Sequence, residues 1–215
     1  MKVFTFPVDE AFAKKNNEML KDTKRLQVSA VVFGILLAIA AALLFAFLGV
    51  ESPLGLIGGI IALTFALLCF FLAVVVPRKV GGAQDLYDTY PLAPAVIAEV
   101  NERDYVLMAL VNTNVNPQAP PRWGAALRTV TRIEGIQEPK LGMRVPVAAV
   151  QGRRSVGDQE HWDEISPMPI AWGTPDQEIV NTARKAIPED QWARLEKARR
   201  RLDEVKDTKF NLLVL

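Results

Sequence analysis

Two long runs without a charged side chain dominate the pattern of apolar and polar positions. They are Leu26 to Val50, 25 residues, and Leu54 to Val76, 23 residues, separated only by Glu51-Ser52-Pro53. Each run exceeds the roughly 20 residues that an α-helix needs to cross about 30 Å of hydrocarbon, where the backbone must satisfy its own hydrogen bonds. The pattern predicts transmembrane helices over 26–50 and 54–76, joined as an antiparallel hairpin spanning 26–76. The first run is too long for a signal-peptide core of roughly 7–15 residues, so it is expected to be retained.

Small residues recur every four positions in the first run: Ala30, Gly34, Ala38, Ala42 and Ala46. The second run offers Gly58, Ala62 and Ala66, with Gly55 and Gly59 near the turn. Such spacing lets helix backbones approach closely in lipid. The two stripes are therefore expected to face each other, leaving Phe33, Phe45, Phe47, Phe65, Phe70, Phe71 and many Leu for lipid or for neighbouring helices.

Outside the hairpin the pattern changes character. Residues 1–25 form an N-terminal arm in which Asp9 could cap a helix running through Phe12 toward Leu20. That arm would lie at the headgroups, lie against the later domain, or serve only to set topology. Residues 77–94, with Gly81-Gly82, Pro91 and Pro94, read as a linker. Period-two alternation then predicts strands over Ala95–Val100 and Tyr105–Val111, joined as a hairpin through 101–104. Residues 112–122, rich in Asn and Pro, read as a loop. A further strand pair is expected within 125–136 and 143–151, with Pro146 forcing an edge position or a bulge. Residues 95–174 thus read as a β-rich domain and 175–215 as C-terminal helices with an apolar tail. Thr174-Pro175-Asp176-Gln177 is a helix start with Thr174 as N-cap, Pro188 opens a second helix, and the tail 210–215 should dock on the sheet. The fold class is a membrane α-helical hairpin plus an α+β cytoplasmic domain: a small antiparallel sheet or partly open β-barrel followed by helices.

Charge sets the orientation. Lys14, Lys15, Lys21, Lys24 and Arg25 precede the first run, Arg78 and Lys79 follow the second, and the loop between them carries only Glu51. The positive-inside rule places both termini in the cytoplasm of a multi-pass bacterial plasma-membrane protein. From Pro77 onward 19 Lys and Arg balance 19 Asp and Glu, without the excess a nucleic-acid binder usually shows.

Candidate chemistry is sparse. The spans contain no Asp, Glu, Lys, Arg or His, which argues against transport by this chain alone. The single Cys69 and single His161 lie apart, so no disulfide, zinc or haem ligand set is expected. The one cluster resembling a catalytic set is His161 with Asp163, Glu164 and Ser155 or Ser166. Adjacent residues in irregular chain rarely align as nucleophile, base and acid, so a solvated His is preferred. Catalytic, cofactor and metal residues are accordingly expected to be none, and the protein is expected not to be an enzyme. The basic run Lys197 to Arg201 is either a site for anionic headgroups or a solvated helix face paired with Glu196, Asp203 and Glu204. Arg153-Arg154 is a weaker case of the same choice.

Gly142-Met-Arg-Val-Pro-Val147 and Pro167-Met-Pro-Ile-Ala-Trp-Gly-Thr174, with Trp192, resemble an uncharacterised actinobacterial family of two-span membrane proteins with a cytoplasmic β-rich domain. By architecture the chain is also similar to accessory subunits of the actinobacterial respiratory cytochrome supercomplex. That resemblance implies a non-catalytic accessory or scaffold subunit of a larger membrane complex, with membrane lipid and integral-membrane subunits as partners. The alternative is a membrane-tethered sensor or adaptor whose cytoplasmic β-domain binds a ligand or a soluble protein.

Overall fold

The computed structural model describes residues 2–215. In chain order the elements are α1 (Glu10–Asn16), α2 (Glu18–Leu48), α3 (Pro53–Val80), α4 (Ala83–Thr89), β1 (Leu92–Val100), β2 (Tyr105–Asn112), β3 (Trp123–Val130), β4 (Arg144–Gln151), β5 (Ile165–Pro169), α5 (Gln177–Ala186), α6 (Glu189–Ala198), α7 (Leu202–Lys206) and β6 (Leu212–Val214). They form two units, a hairpin over Met19–Gly81 and a globular unit built from the residues on both sides of it.

In the hairpin both helices are long and apolar enough to cross a membrane. They extend past the apolar runs, α2 by about two turns at its start and α3 through Pro77 to Val80. The stripes face each other only in part: on α2 the small residues Ala30, Gly34 and Ala38 are covered. Ala42 and Ala46 are exposed, whereas the covered line on α3 is Gly55, Gly59, Ala62, Ala66, Cys69, Ala73, Val76 and Val80. Its steps alternate four and three, the 3.5-residue period of left-handed helix packing. A strict four-residue spacing drifts around the helix and leaves that seam. On α2 the fully buried seam residues are Gly34 and Ala41. Here glycine meets phenylalanine as well as a small residue, Gly34 lying against Cys69 Cβ too. A Cβ on Gly34 would lie 3.1 Å from the Phe70 ring, and one on Gly59 would overlap the Phe45 ring. In the turn Gly49 takes φ +75°, which suits glycine, and a Cβ on Gly55 would strike the Gly49 carbonyl oxygen.

The globular unit is a curled antiparallel six-stranded sheet, order β5-β4-β1-β2-β3-β6, with helices following it. This is the half-barrel and helical arrangement the sequence predicts. β1, β2 and β4 are buried along nearly their whole length, because both faces are covered. α6 packs on β1 and β2, α5 on β4. The curl brings β3 back toward β5, where Arg128 Nη1 donates to Ser166 Oγ at 2.7 Å and its guanidinium lies over the fully buried Trp172 ring.

Several boundaries differ from expectation. Residues 2–18 are not a free arm: they belong to the globular unit. Val3 bridges to Pro91, Asp9 N donates to Gly173 O, and Phe6 stacks on Tyr87 at 5.0 Å. Gly173 permits this approach, since a Cβ there would lie 2.6 Å from the Tyr87 ring. Residues 77–94 are not a linker but the end of α3, the whole of α4 and the start of β1. β3 and β4 do not pair with each other; the β1–β2 hairpin lies between them. Pro146 is consequently interior. It sits opposite Pro94, one residue beyond the last β4–β5 pair, while Pro94 sits one residue before the first β1–β2 pair. Neither proline displaces a ladder donor, so two prolines fit a central strand pair. The irregularity in pairing is instead in β1, between Ile97 and Glu99. The N-cap of α5 is Asp176, whose Oδ1 accepts from Glu178 N at 2.8 Å, and Thr174 Oγ1 accepts from Asp176 N. The tail does dock on the sheet, as β6 against β3.

Candidate functional site

Arginine is used structurally throughout the globular unit. Each of the four tryptophans lies under a guanidinium: Trp123 under Arg194, Trp162 under Arg154, Trp172 under Arg128 and Trp192 under Arg144, at 4.9–5.9 Å from the ring centroid. Arg153 covers Phe210. Most basic side chains are thus spent on aromatic faces or on acids, and the pair Arg153-Arg154 is not a free anion patch.

The cluster around His161 does not assemble as a triad. His161 Nδ1 lies 2.8 Å from Asp158 Oδ2, and that hydrogen bond holds the Asp158 carboxyl below the ordinary carboxylate range. Ser155 Oγ accepts from Asp158 N, and Ser166 Oγ accepts from Arg128. His161 therefore helps to fold the 155–161 turn. This turn in turn supports residues 113–115: Val115 N donates to Glu160 O, Trp162 N to Thr113 O, and Asn114 bridges to His161. Among the described residues, no group of three His, Cys, Asp or Glu side chains is placed to hold a metal ion.

The supported loop ends at a groove. Asn112 Oδ1 accepts from Arg122 N at 3.0 Å and from Asn114 N at 3.2 Å. The buried Thr113 donates from both N and Oγ1 to Arg122 O, and Asn114 Nδ2 donates to Pro120 O. An Asn-Thr-Asn triplet thus fixes the loop that carries Arg122 to the start of β3. Facing it are Arg194, Lys197 and Arg201, at i, i+3 and i+7, which places all three on one side of α6 and the 3₁₀ turn after it. With Pro121, Trp123, Ala198 and Leu215 they line a groove of about 430 Å³ that contains four cationic side chains and no Asp or Glu side chain. Arg201 pairs outward with Glu204, and Arg199 pairs with Glu196. The basic run therefore divides: its Arg199 and Arg201 find acids at helical spacing, and Lys197 turns to the groove.

A second groove of about 390 Å³, beside Met143, Val145 and Val180, also holds charge. There Arg144 is bound by Glu189 at 2.7 and 3.0 Å, Glu134 by Arg132 at 2.9 Å, and Arg184 donates to Asn181. Arg144 and Glu134 are thus paired within the protein, whereas Arg184 Nε is buried without a hydrogen-bond partner among the described residues.

Sequence reasoning named Lys197 to Arg201 but not Arg122, Trp123 or Arg194. The i, i+3, i+7 spacing of Arg194, Lys197 and Arg201 was the available signal. The convergence of Arg122 was not legible, because it depends on how a ten-residue loop closes.

Residues 78–203 match the family DUF3239, described as a protein of unknown function, and the chain belongs to that family. A crystal structure of a Corynebacterium diphtheriae protein provisionally described as a membrane protein is 56% identical, with a TM-score of 0.56. The match covers 58% of this chain and 99% of that one. No curated protein matches the sequence.

Proposed function

We propose that this DUF3239-family chain is a non-catalytic accessory or scaffold subunit of a larger bacterial plasma-membrane complex. Its hairpin would associate laterally with partner helices, and both termini would lie in the cytoplasm. The observation that carries the reading is the division of labour in the hairpin. Its seam is closed by glycine and alanine against phenylalanine, while Phe33, Phe47, Phe65 and Phe71 stand outward, 54–82% exposed. Outward aromatics with no charge suit lateral packing against other apolar helices as well as lipid. The half-barrel supports the same reading, since its interior is filled by side chains such as Trp172, Leu107 and Met168. A respiratory cytochrome bc–oxidase assembly is the partner to test first, on resemblance of architecture alone.

Purification from native membranes in mild detergent tests the proposal. The chain should migrate with other integral-membrane subunits in stoichiometric amount; a monodisperse monomer free of them would overturn it. Protease added to sealed cytoplasm-side-in spheroplasts should leave residues 82–215 intact, and digestion of that unit would reverse the orientation.

A second reading is favoured by the cation-lined groove: a membrane-tethered sensor or adaptor whose globular unit binds a ligand.

A further inference from the structure

We infer that the groove between Arg122-Trp123 and the Arg194, Lys197, Arg201 face is a binding site for a soluble organic phosphate, an anion attached to a flat or apolar body. The inference deepens the ligand-binding reading and is independent of the scaffold reading. Its volume, about 430 Å³, lies in the range of small-molecule sites. The lining is divided in the way such a ligand requires. Pro121, Trp123, Ala198 and the Leu215 side chain give an apolar floor, and four cationic side chains stand around it with no Asp or Glu side chain among them. Guanidinium groups bind phosphate oxygens through paired N–H donors, and the apolar lining suits the organic part of such a ligand.

Two of the four cations are also available, while Arg194 lies over the Trp123 ring. Glu204 occupies one side of Arg201, but the side chains of Arg122 and Lys197 make no hydrogen bond or ion pair among the described residues. Arg122 is nonetheless held in place by its backbone, through Asn112 and Thr113, so an anion would meet a partly ordered site.

Within the globular unit the groove lies at the opposite end of β3 from the point where the chain passes into the hairpin. Glu18, the last residue of this unit before the hairpin, accepts from Thr131 N and Oγ1, just past the far end of β3. Trp123 opens the same strand eight residues earlier, roughly 27 Å away at the usual strand rise.

Calorimetric titration of the full chain in zwitterionic nanodiscs tests this, with ATP and inorganic phosphate as probes. ATP should bind saturably and at least tenfold more tightly than inorganic phosphate. Lys197→Gln should weaken ATP at least fivefold, and Arg122→Gln with Lys197→Gln at least twentyfold. Lys185→Gln, which removes the same charge from exposed α5, should leave it unchanged. Lys197 makes no contact that the fold uses, so its variant separates lost binding from lost folding. Absence of saturable ATP binding, equal affinity for inorganic phosphate, or equal weakening by Lys185→Gln would overturn the proposal. So would displacement of ATP in nanodiscs containing one-third phosphatidylglycerol, which would assign the groove to a headgroup.

Discussion

Glycines 55, 58 and 59 are neighbours in sequence, yet their surroundings demand different things of them. A Cβ at Gly55 meets the backbone carbonyl of Gly49, which cannot rotate away. At Gly59 it meets the Phe45 ring, and at Gly58 only Leu44 Cδ1 at 3.4 Å, an ordinary contact. Alanine substitutions should therefore rank 55 above 59 above 58 in lowering the SDS midpoint for separation of α2 from α3, read by energy transfer between labels on the two helices. Overpacking at 59 should cost about 1–3 kcal/mol, and the change at 58 about 0.5 kcal/mol or less. In the globular unit Tyr87 is buried and donates to Pro169 O at 2.8 Å. Burial pushes its phenol far above the ordinary value, against the smaller effect of a hydrogen bond with Asn17. A raised folded-state pKa contributes stability that is complete below the unfolded value, about 10, and is lost as pH rises above it. Denaturant titrations should show stability falling in that alkaline range. Tyr87→Phe should flatten the fall, leaving the part due to Tyr105, also raised by burial. At neutral pH the same variant should be about 1–2 kcal/mol less stable, since Pro169 O loses its donor.

Among the elements, the edge strand β6 carries a sharp expectation. Leu127 N donates to Asn211 O and Leu215 N to Trp123 O, so Leu213 faces Ala125 in the same ladder. Leu213→Pro removes a donor and should release β6. Deuterium uptake should then rise along β3 while β2, paired on both sides, stays protected; equal uptake in both strands would show that β6 does not close the sheet. Local pattern made the two apolar helices, the β1–β2 hairpin and the docking tail legible. Strand order was not, because nothing near β3 and β4 in sequence says that β1 and β2 lie between them. Pro146 illustrates the limit: a proline in a central strand reads as a contradiction until Pro94 is found opposite it. The docking of the N-terminal arm was one of three readings left open for a related reason, since the burial of Phe6 and Ala13 depends on Tyr87 and Gly173, far along the chain. The groove stood between these cases. Its helix face follows from spacing, whereas its fourth cation depends on loop closure.

The whole molecule joins a hairpin whose apolar spans carry no charge to a globular unit that the chain leaves at Glu18 and rejoins at Gly82. Both ends of the hairpin therefore feed one folded unit. Five of its arginines cover aromatics, its barrel interior is filled, and the hairpin seam is closed, while the apolar surface of the spans stays turned outward. Lateral association is the central claim, and photo-crosslinking in intact membranes tests it most directly. A photoreactive residue at Phe47 or Phe71, 82% and 61% exposed, should give discrete adducts with the same integral-membrane protein. One at Ala66, buried in the seam, should give only crosslinks within the hairpin. Adducts with lipid alone at both outward positions would contradict the account.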